Sequence, residues 1–168
     1  MTLLSEAERF ARLRLARTDR VGPVAFSQLL QRFGSAERAL DALPDLIRSR
    51  GRNGYSIPAP KAVEAELETG ARIGARLTLW GETAYPEALA AVDPPPPLLW
   101  TLGDPALMQR PCMAIVGARI ASAGGQRIAR GLAQQLGESG QVVVSGLARG
   151  VDAAAHLGAL ETGTVAVL

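Results

Sequence analysis

A chain of 168 residues, 48% of them apolar, has room for one sizeable core or two small ones and is not composed like a disordered polymer. Lys and Arg exceed Asp and Glu by only 18 to 16, so net charge does not mark a nucleic-acid binder, although every cation except Lys61 is an arginine, whose planar fork suits phosphate. A single cysteine and a single histidine exclude an internal disulfide and a zinc cluster; the acidic first residues read against a signal peptide, and no stretch reaches membrane-spanning length, so a cytoplasmic location without metal is expected.

Residues 5–50 read as short helices. Leu3, Phe10, Leu13 and Leu15 mark the first, Val24, Leu29, Leu30 and Phe33 the second, and Ala39, Leu40 and Leu43 the third. Gly22-Pro23 is a turn, and Gly34-Ser35 is a C-cap followed by an N-cap. The pattern suggests a small all-α domain over residues 1–60, resembling a SAM or helix-hairpin-helix bundle; a three-helix packing or partner-contact element would show the same pattern. Ten arginines face six acids over residues 1–52, whereas the next segment is acidic.

Residues 61–110 carry a helix over 61–76, with Glu64, Glu66 and Glu68, and then a short strand, Leu77 to Trp80. Tyr85-Pro86 follows, then Asp93 and four consecutive prolines, which can join neither a sheet ladder nor a helix interior. They read as a stiff connector over the next domain, with Leu98 to Leu102 packing onto it.

Residues 111–168 alternate strand and helix. Cys112 reads as a small apolar residue opening a buried strand, Met113 to Gly117. A helix between Gly124 and Gly140 places Ile128, Leu132 and Leu136 at four-residue spacing; Gly131 within it suggests a close approach to the sheet. Val142 to Ser145 is a second strand, a second helix runs from about Asp152 to Glu161 before Gly163, and Thr164 to Leu168 opens a third strand. This is the first half of a Rossmann-like, doubly wound parallel sheet, an α/β fold with apolar strands covered on both faces. Three strands would leave an open apolar edge, so the chain is expected to be part of a longer protein.

In such a sheet, anions bind where strands end over helix tips. Two loops lie there. Gly117-Ala-Arg119-Ile-Ala-Ser122-Ala-Gly124 offers open backbone, a guanidinium and a hydroxyl; Ser145-Gly146-Leu-Ala-Arg149-Gly150-Val-Asp152 offers the same with an acid at the helix start. Glycines that merely permit tight turns would look alike. A P-loop is excluded because Lys61 is the only lysine and alanine follows it. A dinucleotide site is disfavoured because Arg119 stands where the second glycine belongs and Ser145-Gly146 ends the second strand without an acid. Asp152 and His156, four apart on a helix, read as a capping and bracing pair in preference to an acid–base pair. Ser145 has no neighbouring base in the sequence and reads also as turn chemistry.

The motifs Val116-Gly-Ala-Arg119-x-x-Ser122, Val144-Ser-Gly-Leu-Ala-Arg-Gly-Val-Asp152-Ala-Ala-Ala-His156-x-Gly-Ala-Leu160, Tyr85-Pro-x-x-Leu89, Asp93-Pro-Pro and Leu102-Gly-Asp104 resemble the DprA (Smf) DNA-processing family in order and spacing. Val21-Gly-Pro and Arg32-Phe-Gly-Ser35 resemble its leading helical domain. The resemblance implies a non-enzymatic protein without cofactor that binds single-stranded DNA through phosphates, forms a homodimer and loads RecA during natural transformation. It places Gly117, Arg119 and Ser122 on the family's phosphate-binding motif, and Arg149 and Asp152 on a second motif whose role is partly structural; with Gly124, Ser145 and Gly146 of the two loops, Gly117, Arg119, Ser122 and Arg149 make the expected phosphate site, and Asp152 and His156 are expected to be structural. Ala118 stands where the family often has a hydroxyl residue, and Ala123 where it often has tyrosine. The runner-up is a lysine-decarboxylase-like phosphoribohydrolase holding a nucleoside monophosphate on a similar loop.

Overall fold

The computed structural model describes residues 4–49 and 56–168, so Leu3 of the first apolar series lies outside it. The chain divides into two compact units, Met1–Gly103 and Asp104–Leu168.

The first unit begins with three helices, α1 (Glu6–Ala16), α2 (Pro23–Phe33) and α3 (Ala36–Ser49). Their ends follow from local chemistry. Ser5 Oγ accepts from the amide of Glu8 at 3.1 Å, Pro23 occupies the first turn of α2, and Gly34 closes that helix at φ +79°. Ser35 Oγ then accepts from the amide of Arg38. The apolar faces meet in one core of Ala11, Leu15, Val21, Phe26, Leu30, Ala36, Ala39, Leu40 and Leu43. The carboxylate of Glu8 accepts from the amide of Ala36 at 2.9 Å and from Arg12 Nε at 2.8 Å, so an α1 side chain caps α3.

Helix α4 (Pro60–Arg72), strand β1 (Arg76–Leu79), the short α5 (Glu87–Ala90) and strand β2 (Leu98–Thr101) complete this unit. Here the connector reading fails. Leu98–Thr101 does not serve as the apolar flank of a linker; it pairs antiparallel with β1, with Leu77 opposite Trp100 and Leu79 opposite Leu98. The proline run leads into that pairing, with Pro96 O accepting from the buried Tyr85 hydroxyl at 2.8 Å and Pro97 O from the amide of Trp80 at 3.0 Å. Proline lacks a donor, but its carbonyl still accepts, and that suffices here. Trp100 Nε1 donates to Glu66 Oε1 at 2.8 Å, and its ring occupies the space a Cβ at Gly70 would need. Glu66 also accepts from the Arg17 guanidinium, joining α1, α4 and β2. Burial pushes the Glu66 carboxyl up, but the Arg17 and Trp100 donors outweigh it and hold the group below its ordinary value.

The second unit opens with a short 3-10 helix, Pro105–Gln109, followed by β3 (Cys112–Ala114), α6 (Ala123–Glu138), β4 (Val142–Ser145), α7 (Val151–Ala159) and β5 (Thr164–Ala166). The strands are parallel in the order β3-β4-β5, with Met113 beside Val143 and Val144 beside Val165. Two strand–helix–strand units in succession give this Rossmann-like arrangement, and the central β4 buries Val142 and Val143 completely.

Three expectations are corrected. In this chain the first strand is not a buried run, because β3 is an edge of the sheet and pairs with β4 alone: it is exposed throughout, Cys112 included, and Ile115 beyond it enters the core. Of the expected apolar series on α6 only Leu136 packs on the core; the rest of the inward face is Ala129, Ala133 and Gly137, while Ile128 is 73% and Leu132 48% exposed. Close packing of α6 on α7 requires small residues: a Cβ at Gly158 would stand 3.0 Å from that of Ala133, and one at Gly137 would overlap Thr162. Gly131 approaches nothing, since a Cβ there would have no neighbour within 4 Å, and nothing in the structure explains it. Among the described residues no helix is long and apolar enough to cross a membrane.

Candidate functional site

Beyond β3 the amide of Ile115 donates to Val144 O at 3.0 Å, after which the first loop leaves the sheet. The second loop leaves after β4, so both stand at the carboxyl edge of the parallel strands. They are joined there. The amide of Val151 donates to Ala118 O at 3.2 Å, and Gly150, at φ +83° and ψ −121°, lies where a Cβ would overlap the carbonyls of Ala118 and Arg119. A Cβ at Gly117 would stand 2.7 Å from the Val151 side chain. Gly117 and Gly150 thus permit the approach of loop to loop. Sequence reasoning singled out Gly117 but not Gly150, because a glycine needed for a turn and one needed for a contact look the same in a sequence.

Gly146 serves differently. Its amide donates to Asp152 Oδ2 at 3.2 Å, so the carboxylate at the start of α7 holds the second loop and does not bond to His156. His156 is buried and lies 2.8 Å, through Nδ1, from Thr164 Oγ1; the Thr164 hydroxyl donates to Val143 O, which leaves it to accept from the imidazole. The expected pair is therefore two separate braces, one for a loop and one for β5. Ser145 is also buried, its Oγ donating to Ile115 O at 2.6 Å. That bond ties β4 to the start of the first loop and takes the Ser145 hydroxyl out of the exposed edge.

Gly117, Arg119, Ser122 and Arg149 are exposed, and Gly124 is half-buried in the first turn of α6. Ser122 caps this helix, its Oγ accepting from the amide of Gly125 at 3.1 Å. The two helix starts at this edge differ in charge. Helix α7 carries Asp152 in its first turn, whereas α6 carries no acid there, so its positive end faces the loop that bears Arg119 without a carboxylate of its own. The arrangement can take an anion by backbone amides, one hydroxyl and arginines. Among the described residues no group of three or more His, Cys, Asp or Glu could hold a metal ion.

Leu147, in the second loop, was not singled out from the sequence. It adopts φ +54°, a left-handed conformation that costs an L-residue about 1–2 kcal/mol. No sequence signal marks it, since leucine is not a residue that favours this region.

Two family models match the chain: DNA recombination-mediator protein A over residues 63–168, and the DprA-like N-terminal HHH domain over residues 6–69. Protein Smf of Synechocystis sp. is 32% identical over 161 residues, covering 88% of this chain and 40% of the relative. DNA processing protein DprA of Streptococcus pneumoniae is 39% identical over 89 residues, 52% of this chain and 31% of that protein. The X-ray structure of DprA from Streptococcus pneumoniae shares the fold at a TM-score of 0.66 and 24% identity, over 98% of this chain and 58% of that one. The chain thus spans 40% or less of the length of these two curated relatives. With one model matching residues 63–168 and the other the helical start, the chain belongs to the DNA recombination-mediator protein A family, also called DprA or Smf.

Proposed function

We propose that the latched loops bind single-stranded DNA through its phosphates, without sequence preference, and that the protein delivers the strand to a recombinase of the RecA type during uptake of DNA. The observation that carries this reading is the joining of the Arg119 loop, beside the acid-free start of α6, to the loop bearing Arg149. A sequence-tolerant site needs cations and amides that follow a backbone, and the exposed residues of this edge are of that kind. Membership of a family described as DNA recombination mediators supports the polymer as the ligand. The Ser145 hydroxyl is turned inward onto Ile115 O, and His156 is held through Nδ1 by Thr164 with its buried Nε2 lacking a hydrogen-bond partner, which supports a bracing role for both in a binding protein. The resemblance adds a homodimer to this proposal.

The test is binding of a labelled oligothymidine across a salt series. The expected result is binding that is tight at low salt and falls linearly in log–log form as salt rises. Indifference to the oligomer, together with a rise in Tm on adding a nucleoside monophosphate, would replace this reading with the phosphoribohydrolase one.

A further inference from the structure

Both loops carry a large aliphatic side chain into solvent at the edge where the phosphates would lie. Ile120, next to Arg119, is 93% exposed; Leu147, two residues before Arg149, is 56% exposed. A single exposed aliphatic residue says little. Here the same pairing of an exposed aliphatic residue with an exposed arginine occurs in both of two loops held together by the Val151–Ala118 bond. Leu147 also sits at φ +54°, where glycine or asparagine would fit without strain. Glycine stands on one side of it at position 146 and alanine on the other at 148, so the loop could have turned without a branched side chain at its tip. In this chain Leu147 thus combines a left-handed backbone with an outward side chain.

Resting on the single-strand reading above, we propose that Ile120 and Leu147 form a nucleobase contact, an apolar surface against which the bases of the bound strand lie while Arg119 and Arg149 hold the phosphates. Every base presents an apolar face regardless of its identity, so such a surface adds affinity without sequence preference. Neither loop carries an aromatic side chain, so within them the aliphatic Ile120 and Leu147 are the large apolar groups open to a base. Adjacency to arginine in each loop selects a polyanion bearing apolar groups over a purely apolar partner, because a protein surface docked there would have to neutralise or desolvate both guanidiniums.

The experiment compares oligothymidine with an abasic deoxyribose-phosphate oligomer of equal length, for the unaltered chain, Ile120→Ser, Leu147→Asn and the double variant. Asparagine tolerates the left-handed conformation, so Leu147→Asn keeps the loop and removes only the apolar group. The expected result is that the unaltered chain prefers oligothymidine, and that each substitution lowers this preference about three- to tenfold. Abasic binding and the salt slope stay unchanged, and Leu147→Asn does not lower Tm. Equal losses on both oligomers, no loss on either, or an unaltered chain that does not distinguish them would overturn the base contact while leaving phosphate binding intact. An unaltered chain that binds neither oligomer would overturn both proposals together.

Discussion

The amide of Val151 donates to the carbonyl of Ala118, and this one bond makes a single surface of two loops that follow different strands. The residue before it, Gly150, has a backbone conformation and a clearance that only glycine meets.

Gly150→Ala should therefore cost about 2–4 kcal/mol of stability by adding a strained φ and an overlap with backbone carbonyls. Gly131→Ala provides the opposite control. Its Cβ would meet nothing, so it should stabilise the helix by about 0.5–1 kcal/mol. Urea denaturation of the two variants beside the unaltered chain checks both, and a destabilised Gly131→Ala would mean that α6 has a neighbour on that side.

Ser145→Ala should cost about 1–2 kcal/mol, because Ile115 O loses a buried donor. Below its unfolding temperature the variant should bind oligothymidine as the unaltered chain does. A large binding defect in the folded variant would return Ser145 to the phosphate site.

The lowered pKa of Glu66 makes stability depend on pH in a defined window. A carboxyl whose folded value lies below its ordinary 4.5 contributes fully above pH 4.5, and the contribution is lost as pH falls through the lowered value. Glu66→Gln should flatten this acidic limb in denaturation measured across pH, and should also weaken the tie between Arg17 and Trp100.

Tyr85 gives the alkaline counterpart. Burial raises its phenol to about 12 from an ordinary 10, so its neutral form is favoured by folding. Stability is unaffected by this group below pH 10 and declines as pH rises from 10 towards 12. Tyr85→Phe should remove the decline, at the expense of the hydrogen bond to Pro96, and pH-dependent thermal unfolding reads both effects.

The alternation of strands and helices, the glycine and serine helix ends, and the position of both loops at one sheet edge were legible in the sequence, since each rests on local backbone chemistry. Three features were not. β2 follows four prolines, whose missing donors suggest a linker until the acceptors Pro96 and Pro97 are seen in use. The inner face of α6 is Leu136 with Ala129, Ala133 and Gly137, because close helix packing selects small side chains, whereas hydropathy ranks Ile128 and Leu132 beside Leu136. The capping of α3 by Glu8, and the separate bonds made by Asp152 and His156, depend on partners distant in the chain or in the fold, which spacing along one helix does not reveal.

The most direct test of phosphate binding at the latched loops is the salt dependence of oligothymidine binding by Arg119→Ala beside the unaltered chain. Loss of one phosphate contact should weaken binding at every salt concentration and reduce the log–log slope by about 0.7, with no change in Tm. An unchanged affinity and slope in a folded Arg119→Ala would contradict a phosphate role for this loop.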